Sequence, residues 1–321
     1  MSCITREPKL PFVLITLFVA VWQGMIGVFV KWVSWPPAAM VCARCAIASI
    51  GLWALAWAIE AKHPTSRREE AGPGVPVVTP TRTPATPWGI VLGGVLLAGH
   101  WGALFWAYRV AEVGPVVVSV FTFPIMASLT EPWFFGARPC LRQVLLAGLV
   151  VVGVATMVHG RTDTAAGSDG NGWGILLGLV SAAFIAARNI LSRRQLAGVH
   201  PIRLMAQQTL VVAVLTAPSL AWVGIEDLTT RNVALLAILG IGFTALSHTL
   251  MMWTLKHLSV AATGIIGSLQ VVAGILLARW LLSEVTSLTV WLGAGTVLVA
   301  VAVESWAMRK AQSPGLPSSS G

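Results

Sequence analysis

Three charged side chains, Arg44, Glu131 and Arg188, lie within long apolar stretches of the 321-residue sequence. If these stretches cross a membrane, each charge at mid-depth costs on the order of 2.5–3.5 kcal/mol on insertion scales and needs a structural or functional reason. At about 1.5 Å per helical residue, Glu131 and Arg188 lie about equally deep. We expect them to form an ion pair that either locks a gate or exchanges a proton. A static structural ion pair is the alternative.

Two histidines, His100 and His248, lie in the middle third of two further apolar stretches. An imidazole titrates near pH 6.5, so it can shuttle protons or contact a polar solute. A histidine that only hydrogen-bonds a neighbouring helix is the alternative. Their matching placement in the two halves of the chain favours side chains that line a shared cavity.

Arg44 in the first half and Gln208 in the second half each follow a proline, Pro37 or Pro201, by seven residues. We expect Arg44 either to attract an anionic group or to extend along its helix towards the surface. Aromatic, amide and proline residues within the apolar stretches are the candidates for the rest of the cavity: Trp22, Gln23, Trp101, Trp106, Phe121, Pro124, Trp253 and Gln270.

The sequence lacks the motifs of the common catalytic machineries. It has no HExxH motif, no phosphate-binding loop ending in Gly-Lys and no GxSxG elbow. Cys42 and Cys45 form a CxxC motif inside an apolar stretch, where two further zinc ligands are not evident, so we interpret them as packed thiols. We therefore predict a protein that is not an enzyme and needs neither cofactor nor metal.

The composition is typical of a helical membrane protein. Hydrophobic residues make up 56% and charged residues 10% of the chain, whereas a soluble protein has about 25% charged residues. Disorder is excluded by this hydrophobicity, and the basic residues are too scattered for a nucleic-acid-binding face. Apolar stretches of about 20 residues match a hydrocarbon core of roughly 30 Å. The sequence predicts ten transmembrane helices, spans 1 to 10, at residues 11–33, 37–59, 88–109, 115–135, 141–159, 172–191, 202–223, 233–255, 258–282 and 287–308.

The distribution of positive charge predicts the orientation of these spans. With the N-terminus inside the cell, the outer loops contain only Lys31, Arg109, Arg161 and Arg231, while most of the 21 lysines and arginines lie on the inner side. We expect a multi-pass protein of the plasma membrane, the inner membrane of a bacterial cell, with both termini in the cytoplasm.

Two segments have a composition that cannot bury a core. Residues 61–87 contain six prolines beside Arg67-Arg68-Glu69-Glu70, and residues 309–321 are rich in serine, proline and glycine. We predict a disordered cytoplasmic loop and a disordered cytoplasmic tail.

The two halves of the chain, residues 11–159 and 172–308, are arranged alike. His100 in span 3 corresponds to His248 in span 8, and each histidine is followed by a short break and another apolar span. Because each repeat has five spans, an odd number, the two repeats must have opposite orientations in the membrane. Inverted repeats of this kind recur in secondary transporters.

Residues 11–308 resemble the drug/metabolite transporter superfamily, in its EamA-like branch with two five-helix repeats. The most specific stretch is His-Trp-Gly-Ala-Leu-Phe-Trp-Ala-Tyr at 100–108. It continues through Phe-Thr-Phe-Pro at 121–124 to Glu-Pro-Trp-Phe-Phe at 131–135.

The second repeat carries weaker echoes of the family at 247–250, 268–272 and 281–284. The chain departs from the family in two places. It has Gln-Val at 270–271, where the family often has Glu-Pro or a single proline, and Gly-Ala at 136–137, where an acidic residue commonly ends span 4.

The resemblance implies a ten-helix secondary transporter whose central cavity is lined largely by spans 3, 4, 8 and 9. We expect it to export a small metabolite, an amino acid or a drug-like compound by alternating access, with a proton gradient as the simplest energy source. An uncoupled facilitator or channel and a lipid flippase component are the alternatives. The expected partners are a small-molecule substrate and the lipid bilayer, with no nucleic acid, and the expected assembly is a monomer or a homodimer.

Overall fold

The computed structural model describes residues 10–62, 86–134, 136, 138–159, 168–195, 199–255, 263 and 266–312. Within these ranges the chain is almost entirely helical and contains no β-strand. Nine helical segments in the same ranges are long and apolar enough to cross a membrane, and Leu269–Leu282 is a shorter apolar helix at the position of span 9. The predicted all-α, polytopic membrane fold is confirmed.

The helices of the described chain follow the predicted order of spans. In chain order they are α1 (Leu10–Gly24), α2 (Ile26–Trp32), α3 (Pro37–Lys62), α4 (Pro87–Val110), α5 (Val113–Val120), α6 (Phe123–Phe134), α7 (Leu141–His159), α8 (Ser168–Gln195), α9 (Pro201–Thr216), α10 (Thr230–Ala237), α11 (Ser247–Leu255), α12 (Leu269–Leu282) and α13 (Leu288–Gln312). Span 1 consists of α1 and α2, span 4 of α5 and α6, and span 8 of α10 and α11 with a π-helical segment, Ile238–Leu246, between them.

Several boundaries differ from the prediction. Helix α8 is longer at both ends than predicted span 6, and α13 continues through Gln312, into the tail that was predicted to be disordered from residue 309. Helical hydrogen bonds therefore extend beyond the apolar core of these spans. Most of the predicted loop, residues 63–85, lies outside the described residues, as do residues 313–321 and much of the first half of span 9.

The break in span 1 lies where this span crosses span 9. A Cβ atom on Gly24 would be 2.9 Å from both the Gln270 carbonyl oxygen and the Gly274 backbone nitrogen. Backbone atoms cannot move aside as a flexible side chain can, so the crossing requires a glycine at position 24. Small residues at such crossings let helices pack closely in lipid, where no hydrophobic effect drives helices together.

The break in span 4 has a local cause in the sequence. Pro124 has no N–H group, so it cannot continue the helical hydrogen bonds of α5. The Thr122 hydroxyl donates to the Ser119 carbonyl at 2.7 Å and closes the short turn between α5 and α6. Pro124 lies in the first turn of α6, where a proline is tolerated.

The packing of the spans follows the two-repeat arrangement. Spans 2 and 7 pack on each other, as do spans 4 and 9 and spans 5 and 10. Span 3 packs on spans 6 and 7, and span 8 packs on spans 1 and 2. Span 3 of the first repeat corresponds to span 8 of the second, and spans 6 and 7 correspond to spans 1 and 2. The contacts of span 3 with spans 6 and 7 therefore have their counterpart in the contacts of span 8 with spans 1 and 2, as expected for two structurally equivalent repeats.

The correspondence extends to single residues. A Cβ atom on Gly240 of span 8 would be 2.9 Å from the Arg44 carbonyl oxygen. In the other repeat, a Cβ atom on Gly93 of span 3 would collide with the Gln208 amide. Arg44 and Gln208 are the two residues that the sequence places seven positions after a proline, and in each repeat a glycine gives that residue room.

Two ion pairs lie at one end of the bundle, which we call the Glu60 end. Arg142 of span 5 contacts the buried Glu304 of span 10 through Nε at 3.1 Å, and Arg203 of span 7 pairs with Glu60 of span 2. Each pair joins two spans that also pack along their lengths. Span 5 of the first repeat is therefore joined to span 10 of the second both by packing and by an ion pair, and span 2 is joined to span 7 in the same way.

Candidate functional site

Four basic side chains, each from a different span, lie inside the bundle. They are Arg44 of span 2, His100 of span 3, Arg188 of span 6 and His248 of span 8, and each histidine interacts electrostatically with both arginines. We call these four residues the basic cluster. The sequence identified each of them separately, and the structure places them in the bundle with each histidine within electrostatic range of both arginines.

Arg44 is 1% exposed and is held on three sides. Its Nε donates to the Thr244 hydroxyl at 2.7 Å, and its guanidinium carbon lies 4.4 Å from the Trp101 ring centroid and 5.1 Å from that of Phe105. Cation–π contacts of this kind stabilise a buried cation. Arg44 therefore does not extend to the surface, and its Nη1 is buried with no hydrogen-bond partner.

The π-helical segment of span 8 positions Thr244. Its hydroxyl donates to the Leu239 carbonyl, five residues earlier, at 2.9 Å, so an oxygen lone pair remains to accept from Arg44. Ser247 makes the equivalent bond to the Gly242 carbonyl at 3.0 Å. π-Helical turns are rare and are frequent at functional sites.

Arg188 lies against an amide. Its Nε and Nη2 are 2.9 and 2.6 Å from Gln208 Oε1, and Nη1 is 3.5 Å from Asn189 Oδ1. The predicted ion pair with Glu131 is not among the contacts of Arg188 in the described chain. Equal depth along two helices does not fix the direction in which each side chain points around its helix, and Arg188 points from span 6 towards span 7.

His100 is bonded to span 6 through one residue. Its Nδ1 lies 3.1 Å from the Ser181 carbonyl oxygen and 2.8 Å from the Ser181 hydroxyl, which donates back to the His100 carbonyl at 3.0 Å. A carbonyl can only accept, so the hydrogen resides on Nδ1 and Nε2 is the nitrogen able to take another proton. His248 is partly buried beside the same arginines.

An aromatic stack continues from the basic cluster into span 1. Trp22 stacks on Phe243, the neighbour of Thr244, with ring centroids 4.7 Å apart, and on Phe18 at 5.9 Å. The indole Nε1 of Trp22 is buried without a hydrogen-bond partner, as is Oε1 of the adjacent Gln23. Both residues are predicted cavity residues, and they lie on the side of the cluster formed by spans 1 and 8.

Other predicted cavity residues lie elsewhere in the bundle. Phe121 and Pro124 lie at the break in span 4, and Gln270 lies where span 9 crosses span 1. Glu131 is partly buried in the last turn of α6. These residues are near span breaks and crossings, away from the hydrogen bonds of the basic cluster.

Two of the predicted tryptophans are on exposed faces. Trp106 is 55% exposed, whereas Trp101 is buried. Five residues turn a helix by about 140° beyond a full rotation, so the two side chains leave span 3 in different directions, and the placement of Trp106 in the cavity stays a prediction. Trp253 is 46% exposed and packs edge-to-face on Phe12 with ring centroids 5.2 Å apart.

A second polar network closes the opposite end of the bundle, which we call the Lys31 end. Glu284, at the end of span 9, contacts Lys31 of span 1 at 2.6 Å and accepts from the Val113 N–H at 2.8 Å. Val113 begins α5, so the carboxylate also lies at a positive helix terminus. Ser283, with φ +56°, ends α12 in the left-handed conformation and directs the chain to this contact.

The Lys31 end also ties spans 2, 3 and 8 together. Arg109 donates to the Trp35 carbonyl at 2.8 Å, and Trp35 Nε1 donates to the Asp227 carbonyl at 2.9 Å. The Asn232 amide donates to the Ser34 hydroxyl at 2.7 Å. In the described chain the ends of six of the ten spans are thus linked at the Lys31 end, spans 1, 4 and 9 in one network and spans 2, 3 and 8 in the other.

Sequence reasoning missed Thr244, Ser181 and Glu284. Hydroxyl residues in apolar helices commonly bond their own backbone, so the sequence gives no sign that Thr244 and Ser181 serve another helix. Glu284 had a usable signal, since it is an acidic residue directly after an apolar span and follows the family-like Leu-Leu-Ser.

The described residues contain no group of three or more His, Cys, Asp or Glu side chains that could hold a metal ion. Cys42 and Cys45 are buried free thiols in span 2, and Cys42 Sγ donates to the Ala213 carbonyl at 3.3 Å.

Comparison with known proteins decides the family. The model of the EamA-like transporter family matches residues 10–159 and again residues 172–306, which correspond to the two repeats. The chain belongs to the EamA-like transporter family. It is therefore a membrane transporter of the drug/metabolite transporter superfamily.

The fold has a counterpart among solved structures. One crystal structure, described only as that of a protein, covers 94% of this chain and 99% of its own chain with a TM-score of 0.61 at 18% sequence identity. At this identity the likeness concerns the fold alone. No curated protein matches the chain.

Proposed function

We propose that this EamA-like transporter exports a small metabolite, an amino acid or a drug-like compound by alternating access. The observation that supports the proposal most directly is the position of the basic cluster. Arg44 and His100 are buried where spans of the two repeats pack together, and polar networks link span ends at the Lys31 end. Because Arg44 is 1% exposed, a solute can reach it only after helices move.

The contacts of Glu284 suggest which helices move. This one carboxylate joins span 9 of the second repeat to spans 1 and 4 of the first. Breaking these two contacts would release spans 1, 4 and 9 from one another at the Lys31 end, whereas the ion pairs of the Glu60 end hold spans 5 with 10 and 2 with 7. Glu131, near the corresponding end of span 4, is proposed to act in the gate at the Glu60 end.

The orientation and the energy source are part of the same proposal. The positive charges favour a multi-pass protein of the plasma membrane, the inner membrane in bacteria, with both termini and the Glu60 end in the cytoplasm. In this orientation the two repeats are inverted relative to each other. A proton gradient would be used through His100, His248 or Glu131, which are titratable groups within spans.

The test is transport in proteoliposomes. A comparison of the growth medium of cells lacking and overproducing the protein identifies the transported solute, which is then supplied to vesicles under an imposed pH gradient. We expect accumulation against the solute gradient that collapses with a protonophore. Equilibration without accumulation would favour a facilitator or channel. Scrambling of labelled lipids in the same vesicles would favour a lipid flippase component.

A further inference from the structure

The two arginines of the basic cluster have no carboxylate partner in the described chain. Arg44 contacts a hydroxyl and two aromatic rings, and Arg188 contacts two amides and a thioether. The ion pairs that the structure shows among described residues use other basic groups and lie at the ends of the bundle. A guanidinium stays charged in proteins, and a buried charge without a counter-charge is costly.

The hydrogen-bond donors of the cluster are also incompletely used. Arg44 Nη1 is buried without an acceptor. Gln208 turns its Oε1 to Arg188, and the Nε2 of the same fully buried amide is left without a partner. An unpaired buried donor is destabilising, and more so when it is charged. The missing groups are acceptors, and two positive charges make a negatively charged acceptor the most favourable one.

The surroundings fix how such a group would be bound. The Arg44 guanidinium lies against the rings of Trp101 and Phe105, one turn apart on span 3, and its Nε is bonded to Thr244. The remaining edge, with Nη1, presents its donors in the guanidinium plane, which is the geometry that binds carboxylate and phosphate oxygens. The Trp22–Phe243 stack on the span 1 side offers an apolar surface to the rest of a solute.

We propose that the basic cluster is the substrate site and that the substrate is an organic oxyanion, whose carboxylate or phosphate group is bound by Arg44, with Arg188 adding to the positive charge of the site. This inference rests on the proposed transport function and adds the charge class of the solute. His100, bonded to Ser181, holds span 3 and Trp101 in position beneath Arg44, and Gln208 orients Arg188.

The test measures binding of defined probes to the purified full-length protein by isothermal titration calorimetry at constant ionic strength. The probes are benzoate, inorganic phosphate and benzamide, which has the shape of benzoate without its charge. We expect benzoate or phosphate to bind and benzamide to bind at least about tenfold more weakly. The better of the two anions identifies the oxyanion. Equal binding of benzamide and benzoate, or no binding of either anion, would overturn the proposal.

Variants assign the binding to the two arginines. We expect Arg44→Gln and Arg188→Gln each to weaken anion binding about tenfold or more, and Arg44→Lys to retain part of it. Arg231→Gln is the matched control, because Arg231 is exposed at the Lys31 end, and it should bind as the native protein does. If Arg44→Gln does not fold, anion binding by Arg188→Gln is the deciding measurement, because Arg188 is partly exposed and its replacement disturbs the core less. Unchanged binding in Arg188→Gln would then contradict the proposal.

Transport of the identified solute separates the two proposals. If benzoate binds through Arg44 but no solute accumulates in proteoliposomes, the anion site remains and the transport function fails. If a neutral or cationic solute accumulates and Arg44→Gln does not change its flux, the transport function remains and the oxyanion site fails.

Discussion

Gln208 connects the scaffold to the basic cluster at the scale of a single residue. Its Oε1 is 2.6 Å from Arg188 Nη2, and its amide fills the space that Gly93 leaves in span 3. It occupies in the second repeat the place that Arg44 occupies in the first. At this position the first repeat therefore supplies the charge of Arg44, and the second repeat supplies the Gln208 amide, which orients the charge of Arg188.

Replacing Gln208 tests the electrostatic role of this residue. Gln208→Leu leaves Arg188 without its main acceptor, whereas Gln208→Glu provides a resident counter-charge. We expect the glutamate variant to be more stable than the leucine variant by about 1.5–3 kcal/mol, because hydrogen bonds to charged groups are worth that much. Thermal unfolding in detergent, followed by tryptophan fluorescence, measures the difference.

The same pair of variants reports on the oxyanion. The new carboxylate of Gln208→Glu competes with a bound anion, so we expect this variant to bind benzoate more weakly than the native protein although it folds well. Native-like benzoate affinity in Gln208→Glu would argue against an anion next to Arg188.

The sequence predicted which residues matter better than how they pair. Charge and titratable groups inside apolar spans were sufficient to identify all four members of the basic cluster. The partners could not be predicted, because depth along a helix follows from residue number whereas direction requires the packing of neighbouring helices. Glu131 shows the consequence, because it was assigned to Arg188, whose side chain lies against Gln208.

At the scale of helices, the basic cluster draws on both continuous and interrupted spans, since spans 2, 3 and 6 are continuous and span 8 contains a π-helical segment. Spans 1, 4 and 8 contain a break or a π-helical segment, whereas α3, α7 and α13 run without interruption. The breaks occur where one span crosses another or where Pro124 interrupts bonding. Apolar content predicted the existence of the spans, but the break at Gly24 depends on contact with span 9, which no local pattern encodes.

The crossing of spans 1 and 9 is sensitive to a single methyl group. In Gly24→Ala the new Cβ meets two backbone atoms at 2.9 Å, so we expect a loss of about 1–3 kcal/mol, as for overpacked cores. Gly148→Ala in α7 is the control, since a Cβ there has open space and alanine favours a helix. Equal unfolding temperatures for the two variants would contradict the tight crossing.

At the scale of the whole molecule, the two ends of the bundle differ in what they connect. The Lys31 end joins six spans of the described chain through two polar networks, and the two ion pairs of the Glu60 end each join spans that already pack together. This difference fits a bundle that is closed at one end and able to open there when the Glu284 contacts break.

Thiol labelling of intact cells tests the orientation of the bundle. Cys140 is exposed between spans 4 and 5, and Ile225, 87% exposed, lies between spans 7 and 8 at the Lys31 end. We expect a membrane-impermeant maleimide to label Ile225→Cys from outside and to label Cys140 only after permeabilisation, in a background with Cys3→Ser. The reverse pattern would contradict cytoplasmic termini.

The central claim is that transport requires the Lys31 end to open, and a reversible cross-link tests it most directly. Lys31→Cys and Glu284→Cys are combined in a protein without its native cysteines and joined by a cleavable thiol cross-linker about as long as the original ion pair. Each single variant treated with the same reagent is the control. We predict that transport of the identified solute stops on cross-linking and returns on cleavage. Undiminished transport by fully cross-linked protein would contradict the account.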